Sequence, residues 1–164
     1  MVGRIAHKLS YSNRLVWQIL QGEIPIDTNI TLNWVDVQDV ARGAYQAMQQ
    51  GRDGERYILA NERHTSIQES VQMAAAAFPK LRLRLPQKAP KSFLYLVASL
   101  MEFGSCWTGR EPLLQRQYLD MFYGLKQDYD ISKAQMELDF HPKSSEEALL
   151  DAIRYLREEW KPVG

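Results

Sequence analysis

Tyr129 and Lys133, in the run YDISKAQ, are the residues whose types and spacing most directly suggest chemistry. Four residues make about one helical turn, so an unbroken helix would set a phenol and an ammonium on one face. There the cation lowers the phenol pKa and readies it for proton transfer. Asp130 interrupts that reading. It is a good helix N-cap, which leaves Tyr129 outside the helix and Lys133 near its third position, so the two no longer share a face. Two carboxylate pairs, Asp36 with Asp39 and Asp128 with Asp130, have the composition of a general acid and base. Each lies where a strand hands over to a helix, and there an acid accepts from free N–H groups and complements the helix dipole. His7, His64 and His141 are far apart, and none stands at helical spacing from a second ligand, so cap or surface roles are expected of them. Cys106, the single cysteine, excludes an internal disulfide and a cysteine-based zinc site and points to a reducing compartment. It is read as a small core or near-surface residue.

The elements that must position these groups follow from periodicity and caps. Ser12 is expected to cap a helix through RLVWQILQ, with Leu15, Trp17, Ile19 and Leu20 on its apolar face and Gly22 as its left-handed stop. TLNWVDV alternates like a strand, and Asp36 or Asp39 starts a helix through VARGAYQAMQQ with Val40, Ala44, Tyr45 and Met48 on one side; Gly51 and Gly54 end it. ERYILA reads as a short buried strand. Thr65 and Gln68 form a capping-box pattern ahead of SIQESVQMAAAAF, which Pro79 closes. LRLRLP alternates like a half-buried or edge strand with its arginines solvated. Pro90 opens a helix through FLYLVASLMEF, and Glu111-Pro112 opens another through LLQRQYLDMFYG. QDYD reads as a last short strand before the helix SKAQMELDF. Ser144 and Glu147 form a second capping box, ahead of a helix carrying Leu149, Ile153, Leu156 and Trp160. The sum is an α+β, or mixed α/β, fold dominated by helix, with residues 1–164 as a single domain.

Composition bounds the function. With 45% hydrophobic and 24% charged residues among 164, the chain has the make-up of an ordinary globular protein large enough to bury a core. Formal net charge is +0, with basic residues spread among acids, so no footprint for nucleic acid and no polybasic membrane patch is expected. The N-terminal MVGRIAHKLSYSN lacks the apolar run of a secretory signal, and a cytoplasmic location is expected. The apolar run from Phe93 to Phe103 falls short of the ~20 residues that span a bilayer, so it is expected to be a buried helix, with an amphipathic membrane-surface helix as the alternative. A dinucleotide site needs a glycine-rich turn between a strand and a helix, and the closest spacing, GRDG, lies between a helix and a strand. No Walker loop, HExxH, GxSxG or EF-hand pattern occurs.

Three blocks carry a resemblance. NWVDVQDVARGAYQAMQQGRDGERYILANE resembles a segment of the extended short-chain dehydrogenases/reductases, in the group of dihydroflavonol-reductase-like and NAD-dependent epimerase/dehydratase enzymes. There a strand ending in V-D-V-x-D-V-A leads into a helix and then G-x-x-G-E-R-Y-I-L. TGREPLL resembles the family's turn before its penultimate helices, and YDISKAQMELDFHPKSSEEALLDAIRYLREEW its C-terminal run. The opening helix SNRLVWQILQGEIP is also similar, so the likeness covers nearly the whole chain.

The resemblance implies the C-terminal, substrate-binding lobe of an extended Rossmann-fold reductase without its N-terminal nucleotide-binding sheet. The cofactor turn and the catalytic Ser, Tyr and Lys would lie upstream of Met1. It therefore implies no catalytic and no cofactor-binding residue in this chain, NAD(P) as cofactor of the full-length parent, and a small-molecule substrate. A separate chain carrying the Rossmann domain is the protein partner it implies. Nucleotide-sugar epimerases place an arginine before the strand to clamp a diphosphate, where this chain has Leu32 and Asn33. That departure favours the reductase-like branch, with Arg14 or Arg110 as spatial substitutes for the clamp. Arg14, Asn33 and Asp36 are the substrate-binding residues expected from the strand-to-helix passage, although Asp36 is equally a cap. A stand-alone binding module that kept the lobe and lost the chemistry is the alternative.

Overall fold

A computed structural model describes residues 1–3, 10–27, 29–108, 116–124 and 129–159. His7, Arg110, Pro112, Asp128 and Trp160, and the side chain of Cys106, lie outside the described residues. The fold is mixed α+β with helix dominant. In chain order the elements are α1 (Tyr11–Gln21), β1 (Ile26–Asp27), β2 (Thr31–Leu32), α2 (Val37–Gln50), β3 (Thr65–Ser66), α3 (Ile67–Ala77), a single 3-10 turn (Pro79–Leu81), β4 (Gln87–Lys88), α4 (Lys91–Thr108), α5 (Arg116–Phe122), α6 (Ser132–Leu138) and α7 (Ser145–Glu158). The strands form two short ribbons. β1 runs parallel to β4, with Ile26 opposite Gln87, and β2 runs antiparallel to β3, with Thr31 opposite Ser66.

Side-chain caps set most helix starts, though not always at the residue expected. Ser10, not Ser12, caps α1 by accepting the Asn13 N–H, because Tyr11 and Ser12 already have helical geometry; Gly22 ends it at φ 70°. Asp36 caps α2 by accepting from Gln38 N at 2.7 Å. The capping box of α3 is Ser66 with Glu69, one residue beyond Thr65 and Gln68. Thr65 is instead fully buried, where its hydroxyl lies 3.3 Å from Ser70 Oγ. The Ser144–Glu147 box on α7 forms as expected.

The main core joins α1, α3 and α7. Val16, Ile19, Val71, Leu149, Ile153 and Leu156 meet there with Val2 and Trp34. Burying each large aliphatic contributes roughly 1.5–3 kcal/mol, which is why the turn-wise spacing on α7 is the clearest fold signal in the sequence. A second cluster sets Val35 against Ala134, Leu138 and Phe140, with α2 lying on α6. This contact depends on Gly43: a Cβ there would stand 2.7 Å from Phe140 Cδ2 and 2.9 Å from Leu59 Cδ2. Consequently α2 turns Gly43 and Asp39 inward beside Val40, which packs on the second cluster as expected, and leaves Ala44, Tyr45 and Met48 exposed, contrary to the rest of the expected apolar face. A third cluster packs Leu94 and Ala98 of α4 against Leu119 of α5.

Two expected strands are not formed, and of a third, QDYD, residues 127–128 lie outside the described residues while Tyr129 and Asp130 are in no strand. LRLRLP begins with the 3-10 turn, and Arg82 adopts a left-handed φ of 47°, so the ribbon is made further on, by Gln87 and Lys88. Residues 55–60 form no strand pair among the described residues, although Tyr57 and Leu59 pack toward the second cluster while Arg56 and Ile58 face outward.

Candidate functional site

The passage from β2 into α2 is a polar junction. Asn33 Nδ2 donates to Asn61 O at 2.7 Å and lies 3.3 Å from His64 Nε2, while its Oδ1 accepts the Asn61 N–H at 2.9 Å. Asn61 in turn donates from Nδ2 to Trp34 O at 3.1 Å and to Lys143 O at 2.6 Å. Trp34 Nε1 donates to Ser70 Oγ at 2.8 Å, and Ser145 Oγ donates to Arg63 O at 2.7 Å. The starts of α2, α3 and α7 are thereby held by a network of satisfied buried and part-buried polar groups.

Charge reinforces the junction. Lys143 Nζ lies 3.3 Å from Asp36 Oδ2 and 3.0 Å from Asp151 Oδ2. The Asp151 carboxylate, and after it that of Asp36, hold the Lys143 ammonium above its ordinary pKa. Buried Asp39 accepts the Lys143 backbone N–H at 2.9 Å, so Asp36 and Asp39 both act on helix starts. The pair is thus spent on capping and anchoring rather than facing one another across a reacting group.

Of the expected substrate residues, Asn33 and Asp36 come together at this junction, with their polar groups engaged inside the chain. Arg14 sits exposed on α1. Two neighbours of these residues border clefts among the described residues. Asn61 borders a cleft of about 390 Å³ with Arg63, Ile131, Gln135, His141 and Ser145, and Asp39 borders one of about 220 Å³ with Arg42 and Asp139.

A third and larger cleft, about 580 Å³, lies between the turn after α1 and the approach to α4. Ile24, Pro25, Leu85 and Phe93 supply apolar walls, and Arg84 and Lys88 supply cations. Its volume is in the range of small-molecule sites, ~300–1,000 Å³. Sequence reasoning missed it, because the β1–β4 pairing that closes it joins segments about 60 residues apart. The only local signal was the acid-free, proline-punctuated run before α4.

Tyr129 and Lys133 point to different partners. Tyr129 precedes α6 and its ring lies 5.2 Å from that of His64. Lys133 Nζ donates to Glu55 at 2.5 Å and to Arg56 O at 3.2 Å and lies 4.8 Å from the Tyr57 ring centre. Asp130 accepts from the Ser132 hydroxyl and, at 2.9 Å, from the Ser132 N–H, and both hold its carboxylate below the ordinary range. It is not the expected N-cap: that position is Ile131, without a side-chain cap, so α6 starts at Ser132 with Tyr129 outside it and Lys133 at its second residue. On the same helix Glu137 accepts from the Tyr57 hydroxyl at 2.6 Å and pairs with Arg52, and the two contacts, the hydroxyl's first, hold its carboxylate below the ordinary range. Lys133 and Glu137 therefore fasten α6 to residues 52–57.

The glycine pair does not fit a dinucleotide pyrophosphate. Gly51 follows α2, its N–H bonding Ala47 O, and Gly54 turns the chain at φ 77° into a segment that does not start a helix. Among the described residues, no three His, Cys, Asp or Glu side chains converge on a metal position, and no helix is long and apolar enough to cross a membrane.

This arrangement has relatives. No protein-family model matches the chain. Over 152 residues it is 28% identical to a protein of Synechocystis sp. (strain ATCC 27184 / PCC 6803 / Kazusa) named as a dihydroflavonol 4-reductase, with 89% of this chain and 43% of the relative aligned. The crystal structure of gox2253 matches with a TM-score of 0.72 at 27% identity, covering 98% of this chain and 48% of that one. PA4631, a nucleoside-diphosphate-sugar epimerase from Pseudomonas aeruginosa, shares the fold at a TM-score of 0.66 and 24% identity, over 90% of this chain and 42% of its own. Other neighbours in fold were solved with NADPH or NADH. The chain is thus similar, in sequence and in fold, to the C-terminal portion of an extended short-chain dehydrogenase/reductase. Within that class its likeness is to the dihydroflavonol-reductase-like, NAD-dependent epimerase/dehydratase group, and it spans less than half the length of the relatives it matches.

Proposed function

We propose that this chain is the substrate-facing C-terminal portion of an NAD(P)-dependent reductase or epimerase acting on a carbonyl or alcohol carbon. Its role is to shape substrate specificity, and it is not catalytic alone. The observation that carries the reading is the open strand position at residues 55–60. Tyr57 and Leu59 are already packed inward, Arg56 and Ile58 face out, and the backbone between them has no strand neighbour among the described residues. A sheet supplied by a cofactor domain, on the same or a separate chain, would satisfy that backbone as a sheet satisfies any edge. The parallel bridge between Val2 and Asp36 has the direction such a sheet requires.

Hydride transfer needs a bound nicotinamide and a proton donor, and the glycines and the Tyr129–Lys133 spacing serve other purposes here. In this reading Asn33 and Asp36 act by fixing the passage beside the substrate, and Arg14 is the exposed group free for direct contact.

Calorimetric titration of the chain with NADPH and with NADH tests the assignment. No saturable heat is expected from either, whereas micromolar binding would place a cofactor site in these residues and overturn the reading.

A further inference from the structure

We propose that α4, with the basic segment leading into it, docks this chain onto an anionic lipid-bilayer surface. α4 is apolar around most of its circumference, and a helix of that kind is stable only when each face has an apolar partner. One face has it: Leu94 and Ala98 are 1% and 0% exposed against Leu119. The opposite face does not. Phe93, Leu96, Leu100 and Phe103 are 46%, 57%, 64% and 71% exposed. At ~100° per residue these four fall within an arc of about 80°, a single stripe along more than two turns. Scattered exposed hydrophobics are ordinary, but a continuous stripe of four large ones marks an interaction surface.

Charge identifies the occupant. The overall balance of the chain hides one acid-free run, KLRLRLPQKAPK, in which Lys80, Arg82, Arg84, Lys88 and Lys91 are all exposed. None of the five is in an ion pair among the described residues. The fold carries this run to the head of the stripe: Arg84, Leu85 and Lys88 share one cleft with Phe93, and Leu85 is itself 47% exposed. Lys91 Nζ, 5.4 Å and 5.6 Å from the ring centres of Tyr95 and Tyr123, is turned toward the covered side of the helix, so Arg84 and Lys88 are the cations placed beside the stripe. An apolar stripe with cations outside any ion pair at its head is the pattern of a helix that lies in the headgroup region, where acyl chains take the apolar side chains and anionic lipids take the charges. A second copy of this chain could cover the stripe, but its own run from Lys80 to Lys91 has no acid to neutralise these cations, whereas anionic headgroups satisfy stripe and charge together.

Flotation of the chain with phosphatidylcholine vesicles, with and without phosphatidylglycerol, tests this and needs neither cofactor nor substrate, so its outcome is independent of the proposed enzymology. The expected result is binding to the anionic vesicles that weakens with added salt. Arg84→Gln/Lys88→Gln should weaken it roughly twenty-five-fold, about five-fold per charge. Leu96→Gln/Leu100→Gln should abolish it with the circular dichroism of the wild-type chain retained, since both side chains are exposed. Equal binding to neutral vesicles, indifference to either double substitution, or self-association through Leu96 and Leu100 in place of vesicle binding would overturn the proposal; the last would make the occupant a second copy.

Discussion

Replacing Asn61 by Ala tests whether the junction behind β2 and α2 organises the fold. The side chain is 6% exposed and gives two hydrogen bonds, to Trp34 O and to Lys143 O. The contact with Trp34 is buried, and an unsatisfied buried carbonyl costs about 1–3 kcal/mol. The contact with Lys143 is only part-buried, so water can replace the lost donor and the cost is that of one net hydrogen bond, about 1 kcal/mol. The expected loss is therefore about 2–4 kcal/mol, a large share of the ~5–15 kcal/mol that holds a native domain together. Equilibrium urea unfolding followed by tryptophan fluorescence measures it, because Trp34 lies inside the network. Asn33→Ala removes the clamp on the Asn61 backbone, so the two substitutions together should be non-additive by at least ~0.5 kcal/mol. A loss below ~0.5 kcal/mol for Asn61→Ala, or strict additivity of the pair, would show that the junction is decorative.

Gly43→Ala should lower the melting temperature despite the ~1 kcal/mol helix-propensity advantage of alanine, because overpacking against the buried Phe140 ring costs about 1–3 kcal/mol; a higher melting temperature would mean that α2 and α6 do not pack as closely as described. Asn13→Ala should free the N-terminal residues, since its buried amide both accepts from Gly3 N and donates to Gly3 O; faster amide exchange at Val2 and Gly3 is the readout. Lys143 has a folded-state pKa raised above its unfolded value, so its contribution is fully present below the ordinary lysine pKa of ~10.4 and is lost as pH rises through the folded value. The stability gap between wild type and Lys143→Met should therefore be constant from neutral pH to about pH 9 and close in stronger alkali; a gap indifferent to pH would remove the ammonium from the account.

Legibility of the sequence tracked how local the determining physics is. α7 was readable in full, because its capping box and its stripe of Leu149, Ile153 and Leu156 are set within fourteen residues. Asp130 marked the start of α6 but not its cap: the N-cap is Ile131, one residue further on, which still leaves Tyr129 outside the helix that holds Lys133. Where two capping candidates stood side by side, as Ser10 with Ser12 or Thr65 with Ser66, pattern alone chose the wrong one; tertiary packing claims Thr65 for the interior. The face of α2 was misread because its inward surface is defined by a missing side chain, Gly43, fitted to Phe140 almost a hundred residues away. The strand expected in LRLRLP failed because its pairing partner, β1, meets Gln87 and Lys88 instead. The same long-range pairing creates the 580 Å³ cleft, which for that reason no motif announced. The helix expected to be buried from Phe93 to Phe103 is buried on one side only, and periodicity cannot distinguish two apolar faces of which one is covered.

The central claim is that these residues complete a cofactor domain instead of containing one. The direct test joins residues 1–164 to the cofactor portion of the Synechocystis relative in place of its own aligned portion, and follows NADPH absorbance while a panel of aromatic and aliphatic carbonyl compounds is supplied. The account predicts carbonyl-dependent NADPH oxidation that persists in Tyr129→Phe and Lys133→Ala. A folded chimera that binds NADPH yet oxidises it with no member of the panel, or one whose activity disappears with Tyr129, would contradict it.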